Sequence, residues 1–175
     1  MGEVPRRGGG GATLPAMDDE SLLRKAFDLA RRARAEGQHP FAALLADAEG
    51  TVLMEQGNAF LQEGHDMTAH AERLIATRAS KQWRPPFLAG CTLYSTAEPC
   101  AMCAGAIYWA GIGRVVYGQA ESDLKAMTGD DPENPTMSLP CRTVFAAGQR
   151  QVEVVGPLLA DEAAELQAGF WKGRT

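Results

Sequence analysis

The stretch CTLYSTAEPCAMCAGAIYWAGIGRVVY, residues 91 to 117, decides the fold. Cys91 to Ser95 is a short run of β-forming residues and reads as a strand. Pro99 suits the first turn of a helix, where its missing N–H costs nothing. That helix runs to about Trp109. Gly111-Ile112-Gly113 breaks it, and Arg114 to Tyr117 forms the next strand.

Working outward, residues 18 to about 36 read as an amphipathic helix. Leu22, Ala26, Phe27, Ala30 and Ala33 fall at helical spacing, and Asp18, Asp19 and Glu20 suit its positive N-terminal end. Gly37 stops it. Residues 40–46 and 51–54 read as two strands, with residues 47–50 as their turn. Thr68 or Asp66 is the candidate cap of a helix over residues 69–80, whose buried side carries Leu74, Ile75 and Ala79. Residues 119–141 are polar and rich in Asp, Gly and Pro, and read as a long surface loop of the kind that carries function. A last strand over 151–155 and a last helix over 161–171 complete the order α-β-β-α-β-α-β-(loop)-β-α. This order predicts a three-layer α-β-α sandwich around a five-stranded mixed sheet, an α/β fold.

The chain has 175 residues, 45% of them hydrophobic and 22% charged, which suits one domain with a hydrophobic core. The first fifteen residues are different: five Gly, two Pro and the pair Arg6-Arg7. They lack the apolar core of a secretory signal and read as a flexible Gly-rich leader. Residues 16–175 form the expected domain. No apolar run reaches the length of a membrane span. The cysteines stand at 91, 100, 103 and 141. With no export signal, the expected compartment is the reducing cytoplasm, where a close Cys pair points to metal or redox chemistry rather than a disulfide. The net charge of −5 argues against a polynucleotide substrate, since phosphate contacts call for a basic surface.

Pro99-Cys100-Ala101-Met102-Cys103 places two thiols one turn apart on one face at the start of a helix. The helix N-terminus favours their ionised form. Alone, this is half of a zinc site or a redox pair. His70-Ala71-Glu72 adds an imidazole at another helix start. Residues two apart on a helix, at about 100° each, point in nearly opposite directions. His70 and Glu72 are therefore not equal ligands. His70, Cys100 and Cys103 make three donors for one Zn2+ per chain, with water or hydroxide as fourth ligand, the arrangement of a catalytic site. Glu72 is left to handle the protons of that water. The competing reading is a closed structural zinc, completed by Cys141, Cys91 or His65, in a subunit without activity. That reading leaves Glu72 without a role.

His-x-Glu followed by Pro-Cys-x-x-Cys is a known signature of zinc deaminases. With Pro40-Phe41-Ala42, Thr68 to Glu72, Glu98 to Cys103, Ala104 to Ile107 and Gly113 to Gly118, the chain resembles the cytidine/deoxycytidylate deaminase superfamily. It is most similar to the branch of bacterial guanine deaminases, nucleoside deaminases and tRNA adenosine deaminases. The resemblance implies a hydrolytic deaminase releasing ammonia from a nucleobase or nucleoside. Ile107-Tyr108-Trp109 and the acidic loop favour a free purine base such as guanine or isoguanine. Cytosine, a triazine or a nucleoside is the alternative, and adenosine in a tRNA anticodon loop is a further one. Against the last stands the C-terminus, where only Lys172 and Arg174 are basic. The resemblance also makes Asn58 a hydrogen-bonding partner of the base, although one extra residue separates it from His70; a turn Asn is the other reading. Trp109 either lines the base pocket or packs in the core or a dimer interface. Phe41 is divided between pocket and core. Asp131, with Asp130 and Asp123 as neighbours, is the counterpart of a second proton-relaying acid, or a solvated loop residue. The apolar run Ala104 to Ile112 predicts a homodimer, and Phe170-Trp171 a C-terminal segment covering a neighbouring site.

Overall fold

The computed structural model describes residues 18–172, so the Gly-rich leader lies outside the described residues. Helix α1, Asp19–Ala35, is capped by Asp18, whose side chain accepts from the Ser21 N–H at 2.7 Å. Its Leu22, Leu23, Ala26, Phe27, Ala30 and Ala33 are buried along one stripe. Strands β1, Ala42–Ala46, and β2, Val52–Gly57, form the expected hairpin. Asp47 Oδ1 closes its turn by accepting from the N–H groups of Glu49 and Thr51. Then follow α2, Ala71–Gln82, the short α3, Pro85–Leu88, and β3, Thr92–Ala97. Helix α4 spans Ala101–Ala110 and β4 spans Arg114–Gln119. The chain continues through α5, Glu121–Thr128, α6, Cys141–Ala146, β5, Glu153–Val155, and α7, Ala160–Gln167.

The sheet order is β2-β1-β3-β4-β5. β1 is antiparallel to β2 and β3, whereas β3, β4 and β5 run parallel. Every residue of β1 and β3 is buried, as strands covered on both faces must be. On one face Ile75, Leu88, Leu93, Ile107, Val115 and Phe145 join α2, α3, α4 and α6 to the sheet. On the other, Leu22, Phe27, Leu44, Tyr94, Val116 and Leu166 join α1 and α7 to it. The three-layer α/β sandwich with a five-stranded mixed sheet is therefore present. Among the described residues no helix is long and apolar enough to cross a membrane.

Two glycines make the α4–β4 connection possible. Gly111 ends α4 with φ 97°, a conformation costly to any residue with a Cβ. At Gly113 a Cβ would lie 2.0 Å from the Ala89 carbonyl oxygen, so the backbones could not approach.

The stretch expected as a loop over 119–141 differs. Eight of its residues form α5, and its end begins α6. α5 buries only Glu121, Leu124 and Thr128, so it has no apolar periodicity to announce it. The helix over 161–171 also ends earlier, at Gln167.

The parallel pairing of β3 with β4 sets Ala97 beside Gln119 at their C-terminal ends, and the Glu98 N–H donates to the Gln119 carbonyl at 2.8 Å. The residues that follow these strands therefore emerge side by side. Open α/β sheets place their ligands at such strand ends.

Candidate metal centre and active site

Helices α2 and α4 open on the residues singled out by the signature. His70 and Cys100 are their N-caps, both in extended conformation, so the two positive helix ends converge on one point. The expected caps Thr68 and Asp66 bond each other instead, with Asp66 Oδ1 accepting from the Thr68 N–H and hydroxyl.

His70 Nδ1 lies 3.6 Å from Cys100 Sγ and 3.6 Å from Cys103 Sγ. All three donor atoms fall within 4.8 Å of one another. Tetrahedral Zn2+, with Zn–S of about 2.3 Å and Zn–N of about 2.0–2.1 Å, requires an S···N edge of about 3.6 Å. The donor set and its spacing therefore fit zinc. Among the described residues this is the one His/Cys/Asp/Glu group placed to hold a metal, and Cys91, Cys141 and His65 do not join it. The closed structural site loses its fourth ligand.

Ionisation within the pair is uneven. The hydrogen bond from the Cys103 thiol draws Cys100 down to about 4 against the cost of burial, with His70 adding to the effect. Cys103 is held well above the usual thiol value, by that same bond and then by burial. One thiolate is thus shared between two sulfurs until a cation stabilises both. Burial works against a charged His70, but its bond to Cys100 and the charge of Glu72 outweigh this and raise it.

Glu72 is buried in the first turn of α2. Ser95 Oγ lies 2.7 Å from its Oε1 and Cys103 Sγ lies 3.8 Å from its Oε2. Burial pushes the Glu72 carboxyl up, with the charge of His70 opposing and that of Cys100 adding. A carboxyl raised by burial beside a metal triad is suited to moving protons.

His70, Glu72 and Cys100 line a small cavity of about 40 Å³ together with Phe41, Asn58, Ala97, Glu98, Glu121, Leu124 and Asn134. Phe41 and Asn58 therefore stand at the site. A larger groove of about 830 Å³ runs along β5, but its Arg142 and Arg150 spend their N–H groups on the Tyr117 hydroxyl and on backbone carbonyls. The candidate metal donors His70 and Cys100 and the Glu72 carboxyl border the smaller space.

Two expected residues stand elsewhere. Trp109 is 84% exposed on the outer side of α4 and borders a groove with Pro85, Pro86 and Ala89. Ile107 faces the core, and two residues on, about 200° around the helix, Trp109 faces away. Within one chain it does not line the cavity. Asp131 does not line it either: its Oδ1 accepts from the Glu133 N–H at 2.9 Å and shapes the local turn. The same loop sends Asn134 into the cavity and Glu133 to His39 Nε2, 2.9 Å away. The C-terminal segment packs on its own chain. Trp171 Nε1 donates to Gln167 Oε1, Gln167 Nε2 donates to the Pro40 carbonyl, and the Trp171 ring lies 6.0 Å from that of Phe41.

The residues missed from sequence are Glu121, Leu124, Asn134 and Ser95. Glu98 ties the site together: its Oε2 accepts from the Glu121 N–H and its Oε1 from the Cys141 N–H, each at 2.9 Å. The position of Glu121, just past a parallel strand end, was the one signal for it.

Known proteins are similar to this chain in sequence and fold. The probable cytosine deaminase of Schizosaccharomyces pombe is 40% identical over 155 residues, covering 89% of this chain and 93% of that one. The tRNA-specific adenosine deaminase of Haemophilus influenzae is 39% identical over 159 residues, covering 89% and 84%. A mutant protein solved in complex with 8-azaguanine is similar over 89% of this chain and 85% of its own, with 26% identity and a TM-score of 0.72. Residues 16–119, which carry all three metal donors and Glu72, match the cytidine and deoxycytidylate deaminase zinc-binding region, and the chain belongs to that deaminase family.

Proposed function

We propose that this protein is a zinc-dependent hydrolytic deaminase of free nucleobases, with guanine or isoguanine as the first candidates. The observation that carries the reading is the buried Glu72 carboxyl, held by Ser95 at the wall of a cavity that also presents the His70–Cys100–Cys103 triad. These three residues would hold one Zn2+ per chain, which would supply the Lewis acidity that brings the pKa of water toward neutrality. Glu72 accepts the proton of the attacking water and passes it to the ring nitrogen. It then takes the second proton from the hydroxyl formed on the substrate carbon and gives it to the departing amine, so that ammonia leaves and the water oxygen stays as the oxo group of the product. Asn58, fixed by bonds from its N–H to the Phe41 carbonyl and from the Phe60 N–H to its Oδ1, orients the base.

A purine is supported by the relative solved with 8-azaguanine. A second reading, an aminopyrimidine such as cytosine, is supported by the S. pombe relative. A polynucleotide substrate finds little support in α1. There Arg24 and Arg31 are paired with Glu162 and Asp28, and Arg34 donates to the carbonyls of Leu166 and Ala168.

The enzyme works as a homodimer in the cytoplasm. Met102, Gly105, Ala106 and Trp109 recur at helical spacing on the uncovered side of α4, and an apolar stripe ending in an exposed Trp suits an interface between copies.

Ammonia release by the zinc-loaded protein, with Glu72→Ala run beside it, tests the reading. The panel holds guanine, isoguanine, cytosine, adenine, ammeline, the matching nucleosides and an anticodon stem-loop. Release from a free base that disappears in the mutant supports the proposal. Release from the stem-loop alone makes the protein an RNA-editing enzyme, and no release at one bound zinc per chain sinks the enzymatic reading.

A further inference from the structure

We propose that Glu121 is a specificity-determining residue that accepts a ring N–H of the substrate and so restricts the site to bases without a sugar. The inference rests on the deaminase reading and specifies its substrate class.

Glu121 opens α5 directly after β4, and the bond from its N–H to Glu98 Oε2 fixes its backbone at the cavity wall. The residue is only 9% exposed, yet its carboxyl oxygens take no hydrogen bond from any other described residue. Neither oxygen is sealed from the cavity as an unsatisfied atom: among the described residues the sole such atom is Gln119 Oε1. A buried carboxyl without a partner is costly to fold, and proteins keep one where a ligand pairs with it. Glu121 does not duplicate Glu72, which is the carboxyl held against Cys103 and Ser95.

The polar groups around the cavity specify what this ligand shows. Asn58 spends Oδ1 on the Phe60 N–H at 3.0 Å, so its amide N–H groups remain as donors. Asn134 spends both N–H groups, on Thr128 Oγ1 at 3.2 Å and Thr136 Oγ1 at 2.7 Å, so its Oδ1 remains as an acceptor. The Glu121 carboxyl is an acceptor through at least one oxygen whether ionised or neutral. The matching ligand offers one acceptor to Asn58 and two N–H donors to Asn134 and Glu121. An amino-oxo heterocycle with free ring N–H groups has this pattern. Attaching ribose removes one of those donors.

The test compares each base with its N-substituted form: guanine, 9-methylguanine and guanosine, then cytosine, 1-methylcytosine and cytidine. The wild-type protein is expected to favour the free base by about 10- to 100-fold in kcat/KM, the worth of one hydrogen bond to an acidic group. Glu121→Leu should abolish that preference, chiefly through KM for the free base. Glu121→Gln, which keeps an acceptor oxygen, should retain most of it. Calorimetric binding of the same ligands to wild type and Glu121→Leu gives a readout independent of turnover. If no ligand yields Glu72-dependent ammonia, the deaminase reading fails, and binding still decides the role of Glu121. Equal handling of free and substituted bases by the wild type, an unchanged ratio in Glu121→Leu, or no binding of any free base overturns the proposal.

Discussion

Ser95 Oγ lies 2.7 Å from Glu72 Oε1 and 2.6 Å from the Ala97 carbonyl oxygen, with Ser95 itself wholly buried in β3. One hydroxyl thus ties the carboxyl at the start of α2 to the end of the strand that leads to Cys100. This holds Glu72 in a single orientation, with Oε2 toward Cys103. Ser95→Ala should lower turnover by about 10- to 100-fold, equivalent to the 1.5–3 kcal/mol of a hydrogen bond to a charged group. Zinc content should stay at the wild-type level, because Ser95 is not a donor to the metal. Unchanged turnover in the zinc-loaded variant would show that packing alone orients Glu72.

The shared proton of Cys100 and Cys103 has a measurable consequence. In metal-stripped protein at pH 7.5, Cys100 is already ionised, since it lies at about 4, whereas Cys103 holds its proton. Zinc binding should therefore release between one and two protons per ion: one from Cys103 and a fraction from the raised His70. A weakly buffered indicator dye reads this directly. Because protons are released, affinity falls as pH falls. Three protons per zinc would mean that every donor is protonated beforehand and that the coupling is absent. Cys103→Ser and Cys100→Ser should each lose the metal at micromolar zinc, measured by elemental analysis.

Burial first, then the charges of Cys100, Glu98 and Glu72, push Glu121 up to about 8. Its folded value lies above its unfolded value of 4.5, so the folded state binds the extra proton. Stability from this group is complete below the unfolded value and is lost as pH rises toward 8. In metal-stripped protein, urea midpoints should decline between about pH 4.5 and 8, and Glu121→Gln should flatten that decline. A parallel decline in the variant would assign it to other groups.

The outer stripe of α4 leads to a different measurement. If Trp109 anchors a dimer, Trp109→Glu should weaken association by about 30- to 1000-fold, the effect of truncating an interface hot spot. Light scattering at micromolar concentration should then give the mass of one chain, against two for the wild type. The Trp109 indole is not in the core, so the variant should fold. A monomeric wild type would remove the interface reading.

Much of this molecule is legible in its sequence because strong periodicity and specific chemistry coincide. The run from Cys91 to Tyr117 contains two buried strands, a proline-led helix and two metal donors, each constrained by a different physical rule. His70, Glu72, Cys100 and Cys103 converge as read. α5 was not legible, since five of its eight residues are polar and Leu124 is its one buried apolar side chain, and with it Glu121 was lost. Asp131 matches the second acid of the resembling family only by its distance past the Tyr117 strand, but an Asp before Pro and Glu readily closes a turn on itself, as it does here. Trp109 shows a further limit: periodicity assigns a residue to a helix, whereas the phase that turns it outward is set by which neighbours the core takes.

Glu98 supplies the last test. Its carboxylate is buried and accepts from the N–H groups of Glu121 and Cys141, residues at the starts of α5 and α6 and 20 positions apart. It thereby joins both ends of the segment that brings Leu124 and Asn134 to the cavity. Glu98→Ala leaves two buried N–H groups without acceptors, each at a cost of about 1–3 kcal/mol. The expected loss is about 2–4 kcal/mol in chemical denaturation, with amide exchange in α5 accelerated relative to α1. Glu98→Gln keeps one acceptor oxygen but turns an N–H toward the second donor, so it should recover less than half of the loss. Zinc content in Glu98→Gln should remain near one per chain, since Cys100 and Cys103 are placed by α4. An equal rise in exchange across α1 and α5 would mean that Glu98 supports the fold as a whole and not this segment.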